Sequence, residues 1–164
     1  MTQRTGIYPG TFDPITKGHV DVITQALRVV DRLVIAVADD VMKTPIFSMK
    51  ERAAMVKGDV TGLKDAKRIT VLPFKGLLVD FAVKQESSII IRGLRAISDF
   101  EYELQLAATN ARLNPSLQTV FLPAGERMQF IASRMVKEVA RLGGELSPFV
   151  SDAVAEKLRA YFKR

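Results

Sequence analysis

The stretch YPGTFDPITKGH, residues 8–19, decides the fold of this chain because it marks the change from a strand to a helix. Residues 4–8 have the pattern of a short strand, and the prolines and glycines of 9–18 predict a loop. From His19 onward, apolar residues recur at helical spacing. The sequence therefore places His19, the one histidine of the chain, in the first turn of a helix. There, free backbone N–H groups and the helix dipole favour a phosphate.

Apolar runs alternate with helical patterns along the rest of the chain. Strands are predicted at 4–8, 32–38, 68–73, 88–92 and 118–122, and helices at 19–30, 49–62, 77–85, 99–113, 132–142 and 151–162. Ser48 with Glu51, and Ser98 with Glu101, have the spacing of capping boxes. Runs such as residues 89–91 are apolar on both faces, which predicts a buried parallel sheet.

The alternation predicts an α/β fold: one Rossmann-like domain over residues 1–164, with a five-stranded parallel sheet and helices on both faces. The helices from about residue 145 onward are expected to pack on this domain. In such sheets, ligands bind at the carboxyl ends of the strands.

Composition narrows the function classes. The chain has 164 residues, 48% of them hydrophobic, and no apolar run long enough to span a membrane. The N-terminus does not resemble a signal peptide, and a cytoplasmic location is expected. The absence of cysteine excludes disulfides and thiolate catalysis, and a single histidine argues against a zinc site.

The net charge of +6 suits either nucleic acid or polyphosphate substrates. The basic residues are scattered rather than clustered, and Lys43, Arg92 and Arg95 fall at or after strand ends, which favours polyphosphates. A nucleic-acid-binding module is the rival class. Neither a P-loop nor a G-x-G-x-x-G motif occurs.

Arg92 is predicted to end an apolar strand, with Gly93 forming the turn that follows. A buried arginine is costly unless its charge is paired or bound to an anion, and a planar guanidinium suits a phosphate. Asp99 and Glu103 lie four residues apart on the next helix. They are interpreted either as part of a solvated helix face or as a partner for Arg95.

Thr16, Gly18 and His19 form a T-x-G-H pattern, with Thr11 and Asp13 in the same loop. This arrangement resembles the signature of the nucleotidyltransferase superfamily with the H-x-G-H or T-x-G-H motif. From Arg4 to about Val150 the chain resembles, within that superfamily, the phosphopantetheine adenylyltransferases.

The resemblance implies transfer of AMP from ATP to 4′-phosphopantetheine, with Mg²⁺ accompanying ATP and no metal site built by the protein. It also implies a homo-oligomer, typically a hexamer. The alternative is adenylyl or cytidylyl transfer to another phosphate acceptor, such as nicotinamide mononucleotide or glycerol phosphate. Residues 92–95 and 100–107 favour pantetheine over these acceptors.

The resemblance further implies that His19 is catalytic and contacts the α-phosphate as that phosphorus becomes five-coordinate. Asp13 is expected to fix its own loop through bonds to the backbone. The acceptor is expected to contact Thr11, Lys43, Leu78 and Arg92. The implied nucleotide contacts are Thr11, Phe12, His19, Gly93, Leu94, Arg95, Glu103, Met128, Gln129, Phe130, Ile131, Ala132, Ser133 and Arg134. In the last block, Met128, Ala132 and Arg134 depart from the pattern of the family.

Overall fold

A computed structural model describes residues 3–39 and 44–163, without the side chains of 97 and 98. Lys43, predicted to bind the acceptor, lies outside the described residues. The strands are β1 (Thr5–Gly10), β2 (Arg32–Ala38), β3 (Ile69–Phe74), β4 (Ile89–Leu94) and β5 (Gln118–Pro123). The α-helices are α1 (Lys17–Ala26), α2 (Met49–Thr61), α3 (Leu78–Lys84), α4 (Ile97–Leu113), α5 (Ser133–Arg141) and α6 (Asp152–Phe162). Short 3₁₀ turns occupy Ala66–Arg68 and Glu126–Met128.

The five strands form one parallel sheet in the order β3-β2-β1-β4-β5. The predicted α/β fold with a five-stranded parallel sheet is confirmed. Chain order reverses between β1 and β4, which pair through Gly6 with Ile89 and Ile7 with Ile90. The carboxyl ends of these two strands diverge into different loops, and this is where such sheets bind ligands.

Both faces of the sheet are buried, as the apolar runs predict. Ile7, Val34 and Ile90 face one cluster together with residues of α3. Their neighbours Leu33, Ile35 and Ile91 face the larger cluster, which includes residues of α1, α2, α5 and α6. Successive side chains of a strand point to opposite faces, so helices must cover both. The boundary of the domain at 1–164 stays a prediction.

Several predicted starts and ends are wrong: helix α1 ends at Ala26 rather than residue 30, and strands β1 and β4 each run two residues further than expected. Strand β1 continues through Pro9 and Gly10, which pair with Ala36 and Val37 of β2 rather than opening a loop. Helix α4 begins at Ile97 with Ala96 as its N-cap, so Ser98 does not start it. The other capping box is confirmed, since Ser48 Oγ accepts from the Glu51 N–H and Glu51 accepts from the Ser48 N–H. Among the described residues no helix is long and apolar enough to cross a membrane.

Candidate active site

His19 lies in the first turn of α1, as predicted, although the helix begins two residues earlier, at Lys17. Thr16 is the N-cap, and His19 completes a capping box with it. The Thr16 backbone N–H donates to His19 Nδ1 over 3.0 Å, and Thr16 Oγ1 lies 3.0 Å from the same nitrogen. A backbone N–H can only donate, so Nδ1 is the unprotonated nitrogen and Nε2 carries the proton.

The charge of His19 is decided by its surroundings. Burial of the ring, reinforced by the positive charge of Arg95, lowers the pKa of His19 from 6.5 to about 4. The imidazole is therefore neutral near pH 7, and Nε2–H is a hydrogen-bond donor that carries no full charge. The influence of Arg95 also shows that the two side chains share one region of the structure.

The backbone at the start of α1 contributes less than the sequence suggests. The Lys17 N–H donates to the Phe149 carbonyl over 2.8 Å, and the His19 N–H points to Thr16 Oγ1 at 3.4 Å. Two of the N–H groups expected to attract a phosphate thus have partners within the protein. The His19 side chain, rather than these two N–H groups, is the donor available for an anion at this end of the helix.

Phe12 supports the imidazole from the side. Its ring is 2% exposed and packs edge-on against His19, with ring centroids 5.0 Å apart, and against Tyr8 at 5.5 Å. Phe12 has a φ of 50°, a left-handed conformation that non-glycine residues adopt only when the surroundings hold it. A side chain on Gly10 would lie 2.9 Å from the Phe12 ring, so glycine is required there for the loop to fold back.

Arg92 lies at the point where β1 and β4 diverge. Its Nε and Nη2 donate to the two carboxylate oxygens of Glu103 over 2.5 and 2.6 Å, and Nη1 donates to the Pro9 carbonyl at 3.3 Å. Burial works to lower the pKa of Arg92, but the hydrogen bonds and charge of Glu103 outweigh it and raise that pKa. Arg92 is thus a fixed cation, and Glu103, predicted at the nucleotide, contacts Arg92.

Arg95 faces a cavity of about 700 Å³ at the carboxyl ends of β4 and β5. It pairs with Asp99 at 3.3 Å and donates to the Ile131 carbonyl at 3.2 Å. The cavity has the size of a site for a small organic ligand. Its lining residues are Leu94, Arg95, Ala96, Phe100, Pro123, Ala124, Gln129 and Phe130.

Gly93 does not form the turn predicted for it. It lies inside β4, one residue before the strand ends at Leu94, and pairs with Leu122 of β5. A side chain at this position would approach Val22 Cγ2 of α1 to 2.8 Å. Glycine is therefore required for helix α1 to pack closely on strand β4, which brings His19 and Arg92 to the same edge of the sheet.

The segment from Met128 to Arg134 runs beside the cavity into α5. Met128 and Ile131 pack into the core, whereas Phe130 is 82% exposed and Arg134 is also exposed. Ser133 Oγ donates to the Pro14 carbonyl at 2.8 Å, so its hydroxyl holds the loop after β1. Ala132 is the N-cap of α5 and provides no side-chain bond to the first N–H groups.

Leu78 lies at the start of α3, the helix that follows β3, and β3 is the edge strand on the far side of the sheet from β5. It is half-buried and packs with the cluster on that face of the sheet. A second cavity, of about 280 Å³, lies next to it at the end of β3 and is lined by Leu77 rather than Leu78. Thr11, the remaining predicted residue, follows β1 directly and is partly exposed.

Three buried or half-buried charges hold the loops of the site through partners that the sequence did not reveal. Asp13, expected to bond its own loop, instead accepts from the Ile46 and Phe47 N–H groups and pairs with Lys137 at 2.7 Å. Asp21 accepts from the Gly125 N–H at 2.8 Å. The most deeply buried is Arg52, 1% exposed on α2. Its position on the apolar face of the helix was the signal that could have revealed it.

Comparisons with known proteins identify the family of this chain. A family model described as cytidylyltransferase-like matches residues 7–139. The phosphopantetheine adenylyltransferase of Rhodospirillum rubrum is 53% identical over 163 residues, which cover 99% of this chain and 95% of that protein. The enzyme of the same name from Caulobacter vibrioides is 49% identical and is covered to 96%, as is this chain.

The chain belongs to the phosphopantetheine adenylyltransferase family, within the cytidylyltransferase-like nucleotidyltransferases. Members of this family are enzymes.

Solved structures show the same fold in more distant proteins. A nicotinic acid mononucleotide adenylyltransferase from Plasmodium falciparum superposes with a TM-score of 0.71 at 13% identity, covering 98% of this chain and 96% of that one. A bifunctional NMN adenylyltransferase/ADP ribose pyrophosphatase from Francisella tularensis gives a TM-score of 0.73 at 14% identity. The match covers 99% of this chain and 50% of that longer one. At 13–14% identity, these matches show the fold alone.

Proposed function

We propose that this site transfers AMP from ATP to 4′-phosphopantetheine, giving dephospho-coenzyme A and pyrophosphate. An oxygen of the acceptor phosphate attacks the α-phosphorus, a new P–O–P linkage forms, and the bond to the leaving pyrophosphate breaks. The acceptor phosphate is already largely ionised, so the step needs no general base. What the protein must supply is alignment and stabilisation of charge on the reacting phosphoryl group.

The observation that carries the proposal is the combination of His19, Arg92 and Arg95 at the edge where β1 and β4 diverge. We assign the α-phosphate to the Nε2–H of His19, a donor whose tautomer is fixed by the Thr16 N–H. A donor held rigidly at the place where charge develops stabilises the transition state without reorganising. Thr11 and Phe12, in the loop between β1 and the helix of His19, are assigned to contact the nucleotide.

The acceptor phosphate is assigned to Arg92, with Thr11, Lys43 and Leu78 as the further acceptor contacts. The Arg92 guanidinium is preorganised by Glu103 and the Pro9 carbonyl, which supports a role in holding a phosphate in one place. The nucleotide is assigned to the larger cavity, with Arg95, Leu94, Gln129 and Phe130 among its lining. The uncapped start of α5 supports phosphate contacts from the segment 128–134.

Magnesium is expected to arrive with ATP, where it neutralises the triphosphate oxygens. The donor set fits a metal held by phosphate oxygens and water, because the carboxylates around the site have other partners. Glu103 pairs with Arg92, Asp99 with Arg95, and Asp13 with Lys137. In the described part of the chain, no group of three or more His, Cys, Asp or Glu residues could hold a metal ion. A cytoplasmic location, a hexamer, and the absence of nucleic-acid and membrane partners stay predictions.

The proposal is tested by pyrophosphate release from ATP with a panel of acceptors: 4′-phosphopantetheine, nicotinamide mononucleotide and glycerol phosphate. We expect the largest kcat/KM with 4′-phosphopantetheine. Faster turnover with nicotinamide mononucleotide would assign the site to the alternative acceptor. A titration with random DNA at several salt concentrations would detect the rival nucleic-acid function, since such binding depends steeply on salt.

A further inference from the structure

Arg52 is a buried cation that the proposed reaction does not use directly. It is 1% exposed and shares the inner face of α2 with Val56 and Val60, which belong to the core. The capping box of Ser48 and Glu51 fixes the start of this helix, so the guanidinium enters the core from its first turns. Burying a charge is costly unless its donors are satisfied, so its partners must be well placed.

Three of those partners are backbone carbonyls from three separate segments. Arg52 Nη1 donates to the Thr11 carbonyl over 2.5 Å and to the Ala38 carbonyl over 2.8 Å, and Nε donates to the Phe47 carbonyl over 3.1 Å. Thr11 follows β1, Ala38 ends β2, and Phe47 precedes α2. One planar side chain therefore fixes the spacing between two neighbouring loops at the carboxyl edge of the sheet.

Asp13 links the same two loops, but it accepts hydrogen bonds from the backbone where Arg52 donates them. Its carboxylate accepts from the Ile46 N–H at 3.0 Å and the Phe47 N–H at 3.1 Å. The backbone of Phe47 thus donates to Asp13 of the loop after β1 and accepts from Arg52. We call Arg52 and Asp13 together the loop clasp.

Phe12 connects the loop clasp to His19. The Thr11 carbonyl belongs to the peptide unit that joins Thr11 to Phe12. A hydrogen bond to that oxygen therefore fixes the orientation of the peptide that precedes Phe12. Phe12 has its unusual φ of 50° at this place, and its ring lies 5.0 Å from that of His19. A change at Arg52 would therefore alter the support of the imidazole without removing any group that contacts it.

We infer that Arg52 is a positioning residue for phosphoryl transfer: its guanidinium holds the Thr11–Phe12 peptide so that Thr11 and His19 keep their catalytic geometry. The inference rests on the proposed function, because it concerns the rate of that reaction. Small displacements of aligned groups cost about 100-fold in rate. We expect Arg52 variants to lose kcat while the KM for ATP changes far less.

The chain offers a matched control in Arg68. Its guanidinium also donates to three backbone carbonyls: those of Asp31 at 2.9 Å, Leu27 at 2.7 Å, and Val30. Arg68 precedes β3 and therefore lies at the amino edge of the sheet, away from the site. Arg52→Lys and Arg52→Met are to be compared with Arg68→Lys and Arg68→Met for kcat, KM and melting temperature.

We expect Arg52→Met to lower kcat about 100-fold and Arg52→Lys on the order of tenfold, because lysine keeps the charge but not the fork of donors. The Arg68 variants should lower the melting temperature and keep the wild-type kcat. A folded Arg52→Lys with wild-type kcat would overturn the inference. So would an Arg52→Lys variant that does not fold, because the guanidinium would then serve the fold as a whole.

A second measurement is independent of turnover. His19 is the one histidine of the chain, so its imidazole signals in an NMR spectrum need no assignment. The ring current of Phe12 acts on them, so Arg52→Lys should shift these signals and Arg68→Lys should not. Unshifted signals would overturn the inference. Wild-type protein without adenylyltransferase activity would instead refute the proposed function and leave this geometric test valid.

Discussion

At the scale of single residues, the hydrogen on Nε2 is the group through which His19 is proposed to act. The Thr16 N–H occupies Nδ1, and burial together with Arg95 keeps the ring neutral near pH 7. A neutral donor stabilises developing negative charge less strongly than an imidazolium but needs no protonation before each turnover. The positive charge of the site is then left to Arg92 and Arg95.

His19→Ala should lower kcat by about 10²–10³, with little change in ATP affinity, because the lost bond belongs to the transition state. His19→Gln should retain more activity than His19→Ala, because its amide N–H can replace the Nε2–H donor. Steady-state kinetics with calorimetric ATP binding and a melting curve measure this. If His19→Gln were as inactive as His19→Ala, His19 would have to act as a charged imidazolium rather than as a neutral donor. If alanine kept its kcat, His19 would be a structural residue.

The depressed pKa of His19 predicts how stability varies with pH. Between about pH 6.5 and 4 the unfolded chain binds a proton at this residue that the folded chain does not, so stability falls as pH falls through this window. The effect is at most about 3 kcal/mol, and less because the ring is partly exposed. Urea unfolding of the wild type and of His19→Gln, which cannot titrate, isolates the contribution. An NMR titration of His19 with a midpoint at or above 6.5 would contradict the prediction.

At the scale of elements, the site depends on how closely α1 approaches β4. Val22 of α1 is 3% exposed and packs against the backbone of Gly93, where there is no room for a side chain. Gly18, in the first turn of α1, lies beside Ile131: a Cβ there would be 3.4 Å from the Ile131 carbonyl, an ordinary contact distance. Gly93 therefore lets α1 pack closely on β4, which brings His19 and Arg92 together, and Gly18 lies where the same helix meets the 128–134 segment.

Gly93→Ala should destabilise the fold by about 1–3 kcal/mol, because the new methyl group would overlap Val22 and force α1 away from β4. Val22→Ala alone should also destabilise, by removing buried methyl groups. In the double variant the two changes should compensate, since the smaller residue accepts the added methyl group. Denaturant unfolding in a double-mutant cycle measures the coupling. Additive losses would show that the two residues do not compete for one space.

The strands were predictable from sequence because buried parallel strands are continuous apolar runs, such as residues 89–91. The place of His19 was also predictable, because T-x-G-H ends the loop after the first strand and apolar residues recur at helical spacing from there. The role of Gly93 was not, because a glycine that turns the chain and one that admits a neighbouring helix look identical in a sequence. Arg52 was missed for a related reason: a charged residue is read as exposed until its backbone partners, 5 to 41 residues away, are known.

At the scale of the whole molecule, α4 carries an apolar stripe on the surface of the protein. Leu104, Ala108 and Ala111 are all exposed and follow one another at helical spacing, in line with Phe100, which packs against Phe121 and lines the larger cavity. None of the described side chains of α4 is buried. A surface helix with an uncovered apolar face is typical of an interface between subunits. We therefore predict that α4 lies in the interface of the expected homo-oligomer.

Leu104→Glu should therefore dissociate the oligomer. A glutamate buried between subunits would lose its hydration without gaining a partner, which costs several kcal/mol at each copy of the interface. Val83→Glu on α3 is the matched control, because Val83 is 59% exposed and Leu104 49%, and each substitution adds the same charge. Sedimentation equilibrium of the wild type and both variants gives the mass of the assembly. We expect a multiple of the 18.2 kDa chain for the wild type and for Val83→Glu, and smaller species for Leu104→Glu. A wild-type mass of one chain would refute the oligomer itself, whereas an intact Leu104→Glu assembly would move its interface away from α4.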